Sequence, residues 1–112
     1  MHLISVNIGE AQPIRYSKDE LDTTGIWKSP VSTPVEITPL ALVGDAVMDV
    51  KNHGGPDQAV YVYGGADYAW WSEKLGRELA PGTFGDNLTI SDLECSPLNI
   101  GIGCVWARWC WK

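Results

Sequence analysis

Lys51-Asn52-His53-Gly54-Gly55-Pro56-Asp57-Gln58-Ala59-Val60-Tyr61 is the stretch on which the reading of this chain turns. Its centre, residues 52–57, is a strong turn signal. On either side lie short runs rich in Val and Tyr, residues 46–51 and 58–63, of the kind that form strands. Two consecutive glycines permit a positive φ or a close approach of the backbone to a ligand. Their N–H groups can then converge on one concavity, as in an anion-binding nest. Lys51 adds a positive charge, His53 a titratable donor, and Asp57 can orient either of them. A tight β-turn with solvated polar residues accounts for the same residues equally simply.

Outward from this centre the chain keeps a β-rich rhythm. Residues 3–8 alternate like a strand, Ile14 and Tyr16 form a candidate strand face, and residues 35–40 suggest another strand stopped by Pro39. Residues 87–90 suggest a short one after the Pro81-Gly82 turn. One segment, near residues 66–76, reads as a helix. Tyr68, Trp71 and Leu75 share a face, Asp67 lies near its start and Gly76 fits its end. That face is expected to pack on the sheet; stacking of a ligand on Tyr68, Trp70 and Trp71 is the other reading. Many short strands with Gly and Pro between them predict a mainly β fold, a small barrel with one or two peripheral helices.

Composition narrows the function. The chain has 112 residues, 45% of them apolar, which suits one small domain. Its net charge is −6, with only eight Lys and Arg, so nucleic acid and anionic membranes are not expected partners. Neither an apolar run of membrane-spanning length nor a secretory signal is visible. Three cysteines, Cys95, Cys104 and Cys110, form no metal-ligand pattern, and the expected setting is the reducing cytoplasm. Asn87-Leu88-Thr89 matches a glycosylation sequon, without meaning in that setting. The second cluster, residues 81–89, places Phe84 beside Gly85 and offers Asn87 as donor and acceptor. Asp45 and Asp49 form no recognisable metal set with His2 or His53.

Five blocks in order resemble the MOSC domain family. They are Ile4-Ser5-Val6-Asn7-Ile8-Gly9, the run from Thr24 to Val31, the run from Leu42 to Val47, the run from His53 to Val60, and Phe84-Gly85-Asp86-Asn87-Leu88-Thr89. Together they cover residues 3–101. Asp86 stands where the pattern usually carries Glu. The closest variety is the small stand-alone bacterial type. The resemblance implies a MOSC-type barrel that binds the molybdenum cofactor, with reduction of N-hydroxylated bases or sulfur carriage as the activity. Pyridoxal phosphate binding follows by family association only. The expected cofactor-binding residues are Lys51, His53, Gly54, Gly55, Asp57 and Asn87, lining one concavity.

After Gly101 the resemblance stops. Residues 102–112 include Trp106, Trp109 and Trp111, and the family's later Pro-Cys motif, whose thiolate ligates molybdenum or carries sulfur, is not found. Tryptophan has a single codon, and reading that codon one base back gives Val, Leu or Met at each Trp. Residues 102–112 are therefore expected to be an out-of-frame tail following a partial MOSC domain at 1–101. Cys110-Trp111-Lys112 imitates the Cys-Trp-Lys of the family motif, but Trp109 stands where proline belongs, and no catalytic or metal-ligating residue is expected. The domain would be incomplete at its C-terminus, of low stability and catalytically impaired. A non-catalytic binding module and a non-functional remnant are the alternatives.

Overall fold

The structure is a computed structural model and describes residues 2–15, 17, 18, 20–48, 56 and 58–98. Six strands and one helix follow in order. They are β1 (Leu3–Ile8), β2 (Gln12–Arg15), β3 (Leu21–Thr24), β4 (Ser29–Pro30), β5 (Val62–Gly64), α1 (Gly65–Leu75) and β6 (Leu88–Ile90). Four of them form one sheet in the order β4-β1-β6-β5, and β2 and β3 form a separate hairpin.

The sheet is built around β6. It lies antiparallel to β1, with Val6 opposite Leu88, and parallel to β5, with Val62 also opposite Leu88. A strand flanked on both sides and covered on both faces must be apolar or internally hydrogen-bonded throughout. Leu88, Thr89 and Ile90 are accordingly all buried. With Leu42, Tyr68 and Leu79, Leu88 and Ile90 make the apolar core. The parallel pair is joined through α1, because parallel strands cannot be linked by a tight turn.

The mainly β class is as expected, with one helix among the described residues. The expected barrel is not closed among these residues. β5 is an edge, β4 is the opposite edge, and the β2–β3 hairpin pairs with neither. Closure would require a strand to bridge those edges.

The helix falls where the sequence places it. Gly76 ends it in the left-handed region at φ 66°, and Arg77 N–H donates to Ser72 O at 3.2 Å, closing the last turn. Its packing differs from expectation. Tyr68 is buried, but Trp71 and Leu75 are 38% and 53% exposed. The helix runs straight on from an edge strand, so its first turns meet the sheet and, among the described residues, its later turns have no neighbouring strand to cover.

One expected strand does not form. Around residues 35–40 there is only an isolated bridge, Ile37 to Leu42. Thr38 turns the chain there: its N–H donates to Ala41 O at 2.9 Å, and its hydroxyl accepts from Ala41 N–H at 3.1 Å. This side-chain competition, with Pro39 at the bend, outweighs the β propensity of Val35 and Ile37. Of the run expected at 46–51, residues 46–48 are irregular and 49–51 lie outside the described residues, and the pairing of residues 58–63 begins only at Val62. No helix among the described residues is long and apolar enough to cross a membrane.

Candidate functional site

A cleft of about 910 Å³ opens on one side of the sheet. It is lined by Thr23, Thr24 and Ile26, from β3 and the turn after it, and by Ala46 to Met48. Gln58 to Tyr61 also line it, with Phe84, Gly85 and Asn87 from the turn before β6. Met48 and Gln58 stand on either side of the His-Gly-Gly segment in sequence, and both line this cleft with Asn87.

Of the six expected site residues, Asn87 is the one the structure describes. Lys51, His53, Gly54, Gly55 and Asp57 lie outside the described residues. Asn87 sits at the cleft and is 4% exposed. Both of its amide protons are committed, one to Asp45 Oδ2 at 2.8 Å and one to Asn7 O at 3.3 Å. Its Oδ1 accepts from Tyr61 N–H at 3.0 Å. Its backbone N–H donates to Tyr61 O and its carbonyl accepts from Asn7 N–H, at 2.8 and 2.7 Å. Asn87 therefore ties β1, β6 and the start of β5 together at the cleft floor.

Two residues at this site escape sequence reasoning. Lys28 Nζ donates to both oxygens of Asp45, at 2.6 and 2.8 Å, and approaches Ala46 O at 3.4 Å. Asp45 also accepts from Gly9 N–H at 2.9 Å. The carboxylate thus gathers the end of β1, the segment before β4 and the turn before β6 on one point. All three ammonium protons of Lys28 have partners, so this lysine adds little free positive charge to the cleft. Lys28 and Asp45 both fall inside the family-like blocks, but their pairing spans 17 positions and leaves no local signal.

Behind the floor lies a second polar cluster. Asp86, fully buried, accepts from the Tyr68 hydroxyl at 2.5 Å, the Thr89 hydroxyl at 2.6 Å and Asn7 Nδ2 at 3.4 Å. Asn7 Nδ2 also donates to Asp86 O and lies 3.0 Å from Thr89 Oγ1. Burial, and then the hydrogen bond to Asp86, push the Tyr68 hydroxyl far above the usual tyrosine range. Among the described residues no buried side-chain polar atom lacks a partner. Asp86 is thus a structural anchor rather than a ligand-facing group. Its short side chain matters because the donors close on it from three directions.

Tyr61 and Phe84 line the cleft with aromatic surface. Tyr63 links them, with ring centroids 6.2 Å from Tyr61 and 5.0 Å from Phe84. Burial, and then the neighbouring Tyr63, raise the Tyr61 hydroxyl above its ordinary value, so it is neutral at physiological pH. The one cysteine described, Cys95, does not line the cleft. Its backbone N–H donates to Asp67 Oδ2 at 2.7 Å, in the first turn of α1. Burial, and then the hydrogen bond with Asp67, push its thiol upward, away from a reactive thiolate. No metal-binding group of three or more His, Cys, Asp or Glu occurs among the described residues.

The chain belongs to the MOSC domain family, whose model matches residues 49–109. It is similar to YflK, an uncharacterized protein of Bacillus subtilis (strain 168), at 38% identity over 88% of this chain and 44% of YflK. It is also similar to YiiM of Escherichia coli (strain K12), at 33% identity over 77% of this chain and 38% of that protein. The solved structure of YiiM from Geobacillus stearothermophilus matches with a TM-score of 0.56 and 30% identity, over 82% of this chain and 38% of that one. These findings agree with a stand-alone, YiiM-like MOSC protein. The chain spans less than half the length of the relatives it matches.

Proposed function

We propose that the cleft holds the molybdenum cofactor, and that this chain is a cofactor-binding MOSC protein of the YiiM type, linked to reduction of N-hydroxylated bases or to sulfur carriage. The observation that carries this reading is that Met48 and Gln58, on either side of the His-Gly-Gly segment, line the same cleft as Asn87. The residues present fit such a group in size and surface. A volume near 910 Å³ is that of a ligand pocket, and Tyr61 and Phe84 contribute aromatic surface suited to a pterin.

In this reading the paired N–H groups of Gly54 and Gly55, with Lys51, receive the anionic phosphate. His53 donates a further hydrogen bond and Asp57 orients it. Lys28 is held by Asp45, so the compensating charge falls to Lys51 and His53. Asn87 keeps the floor rigid. When bound, the cofactor supplies the metal centre at which family members reduce N-hydroxylated bases or carry sulfur. Cys95, the described cysteine, lies beside Asp67 and does not line the cleft. Pyridoxal phosphate shares the phosphate but would want a free lysine amine, and Lys28, the described lysine of the cleft, is not free. A cytoplasmic setting and a small-molecule rather than nucleic-acid ligand complete the reading.

The test is to incubate the purified chain with molybdenum cofactor, pass it through gel filtration, and measure retained molybdenum and pterin fluorescence. Stoichiometric retention, reduced at least tenfold by Lys51→Ala, is expected, as is weaker retention of pyridoxal phosphate. Equal retention by the parent and Lys51→Ala would overturn the site.

A further inference from the structure

Tyr61, Tyr63 and Tyr68 pack their rings into one cluster with Phe84, yet their hydroxyls are used differently. The Tyr68 hydroxyl donates to buried Asp86 at 2.5 Å, and the Tyr63 hydroxyl accepts from Trp71 Nε1 at 3.2 Å. The Tyr61 hydroxyl has no hydrogen-bond partner among the described residues. Of the three, Tyr61 is the one that lines the cleft.

The backbone of Tyr61 is pinned on both sides by Asn87. Asn87 Oδ1 accepts from Tyr61 N–H at 3.0 Å, and Asn87 N–H donates to Tyr61 O at 2.8 Å. Leu88 N–H donates to the same carbonyl at 3.1 Å. Asn87 is fixed in turn by Asp45 and Asn7. Tyr61 thus hangs from the buried floor, with the Tyr63 ring behind it at 6.2 Å. A donor held in this way loses little freedom when a ligand arrives. Tyr61 is 46% exposed, so the phenol is open to such a ligand. Burial, and then Tyr63, keep its hydroxyl protonated and therefore a donor. The polar groups of the floor do not compete with it. Lys28 and Asp45 satisfy each other, and both amide protons of Asn87 are committed.

We propose that Tyr61 is a specificity-determining residue of the cleft: its hydroxyl donates a hydrogen bond to an acceptor atom on the edge of a planar aromatic heterocycle. This role rests on the cleft being the ligand site, as read above, and adds what the site selects. The pterin ring of the cofactor and a purine-like base both carry such acceptors, and both suit the aromatic surface of Tyr61 and Phe84. A ring without an acceptor gains the apolar contact alone. One neutral hydrogen bond is worth roughly fivefold in affinity.

The test titrates the full 112-residue chain, isotope-labelled at the tyrosine ζ carbons, with pterin, with hydroxylaminopurine and with indole, a flat ring that has no acceptor atom. Binding of an acceptor-bearing ring should move the Tyr61 ζ-carbon resonance. Tyr61→Phe should weaken that ring about fivefold and leave indole unchanged. The removed oxygen bonds no described residue, so this variant should melt like the parent. Tyr63→Phe, which alters a hydroxyl outside the cleft, should weaken neither ring. A loss confined to pterin would assign the donor to the cofactor, a loss confined to hydroxylaminopurine would assign it to the substrate, and either supports the role. Equal affinity of parent and Tyr61→Phe for both acceptor-bearing rings would overturn it. So would an equal loss for indole, which would mean packing alone, or the absence of binding by any of the three probes. If the chain fails to retain molybdenum cofactor while the Tyr61 dependence holds, the cofactor reading falls and this role stands. Cofactor retention without any Tyr61 dependence would do the reverse.

Discussion

Asp45 holds the ammonium of Lys28 on both carboxylate oxygens, at 2.6 and 2.8 Å, and the two side chains are only 2% and 7% exposed. A charge pair buried this far is kept by geometry: each ion is affordable only while the other is in place.

Asp45→Ala should therefore cost about 3–5 kcal/mol, since it strands the Lys28 charge and two further donors, Gly9 N–H and Asn87 Nδ2. The double variant Lys28→Met with Asp45→Ala should recover a large part of that loss, because no unpaired charge remains. Urea unfolding followed by tryptophan fluorescence measures both. A double variant no more stable than Asp45→Ala would show that the pairing is not what Asp45 contributes.

Asp86 stands where the family pattern carries Glu, which makes Asp86→Glu informative. The Tyr68 and Thr89 hydroxyls already sit at 2.5 and 2.6 Å from its oxygens, in a site without exposed surface. One more methylene should destabilise by about 1–3 kcal/mol through overpacking. Tyr68→Phe should cost about 1–3 kcal/mol by taking a hydrogen bond from a buried acceptor. Thermal melts of the two variants decide whether the network is as tight as the distances imply.

Glycines 76 and 82 share positive φ values, 66° and 87°, but not surroundings. A Cβ at Gly76 meets nothing within 4 Å, whereas one at Gly82 falls 2.6 Å from Lys28 O. Gly76→Ala should cost only the left-handed penalty of about 1–2 kcal/mol. Gly82→Ala should cost clearly more and displace the backbone of Lys28, seen as amide shifts at residues 28 and 45 in a heteronuclear spectrum.

Alkaline pH should destabilise the fold through Tyr68. Its folded-state pKa lies above the ordinary 10.0, so the unfolded chain loses the proton first. The contribution of the neutral hydroxyl is complete below pH 10.0 and fades as pH rises from there toward the folded-state value. Melting temperatures measured across that range should fall more steeply for the parent than for Tyr68→Phe.

Cys95 should be a slow thiol. Burial first, and the hydrogen bond with Asp67 second, raise it above the ordinary 9.0. In a chain carrying Cys104→Ser and Cys110→Ser, alkylation of Cys95 should have a pH midpoint above 9.0, and Asp67→Asn should lower that midpoint. A midpoint indifferent to Asp67 would mean burial acts alone.

β1, the β6 segment and α1 were legible from local pattern, because alternation and helical spacing are properties of a few adjacent residues. The Gly76 end of α1 was legible for the same reason. The strand expected at residues 35–40 was not there, since Thr38 and Pro39 impose a turn that propensity scales cannot weigh. The β2–β3 hairpin was hidden by its polar composition: Leu21–Thr24 carries a single large apolar residue, and all four positions of β3 are exposed or half-buried.

The sequence alone determined the family, from the order of five short blocks, and the β-rich class, from strand-length runs set between Gly and Pro. Tertiary structure alone decided that Lys28 meets Asp45, that Asn87 meets both Asp45 and Asn7, and that Asp86 anchors Tyr68 and Asn7. Those partners lie as many as 80 positions apart, as Asn87 and Asn7 do. Hydrogen bonds and ion pairs of this range depend on where the sheet brings distant segments together, and a one-dimensional pattern carries no record of that meeting.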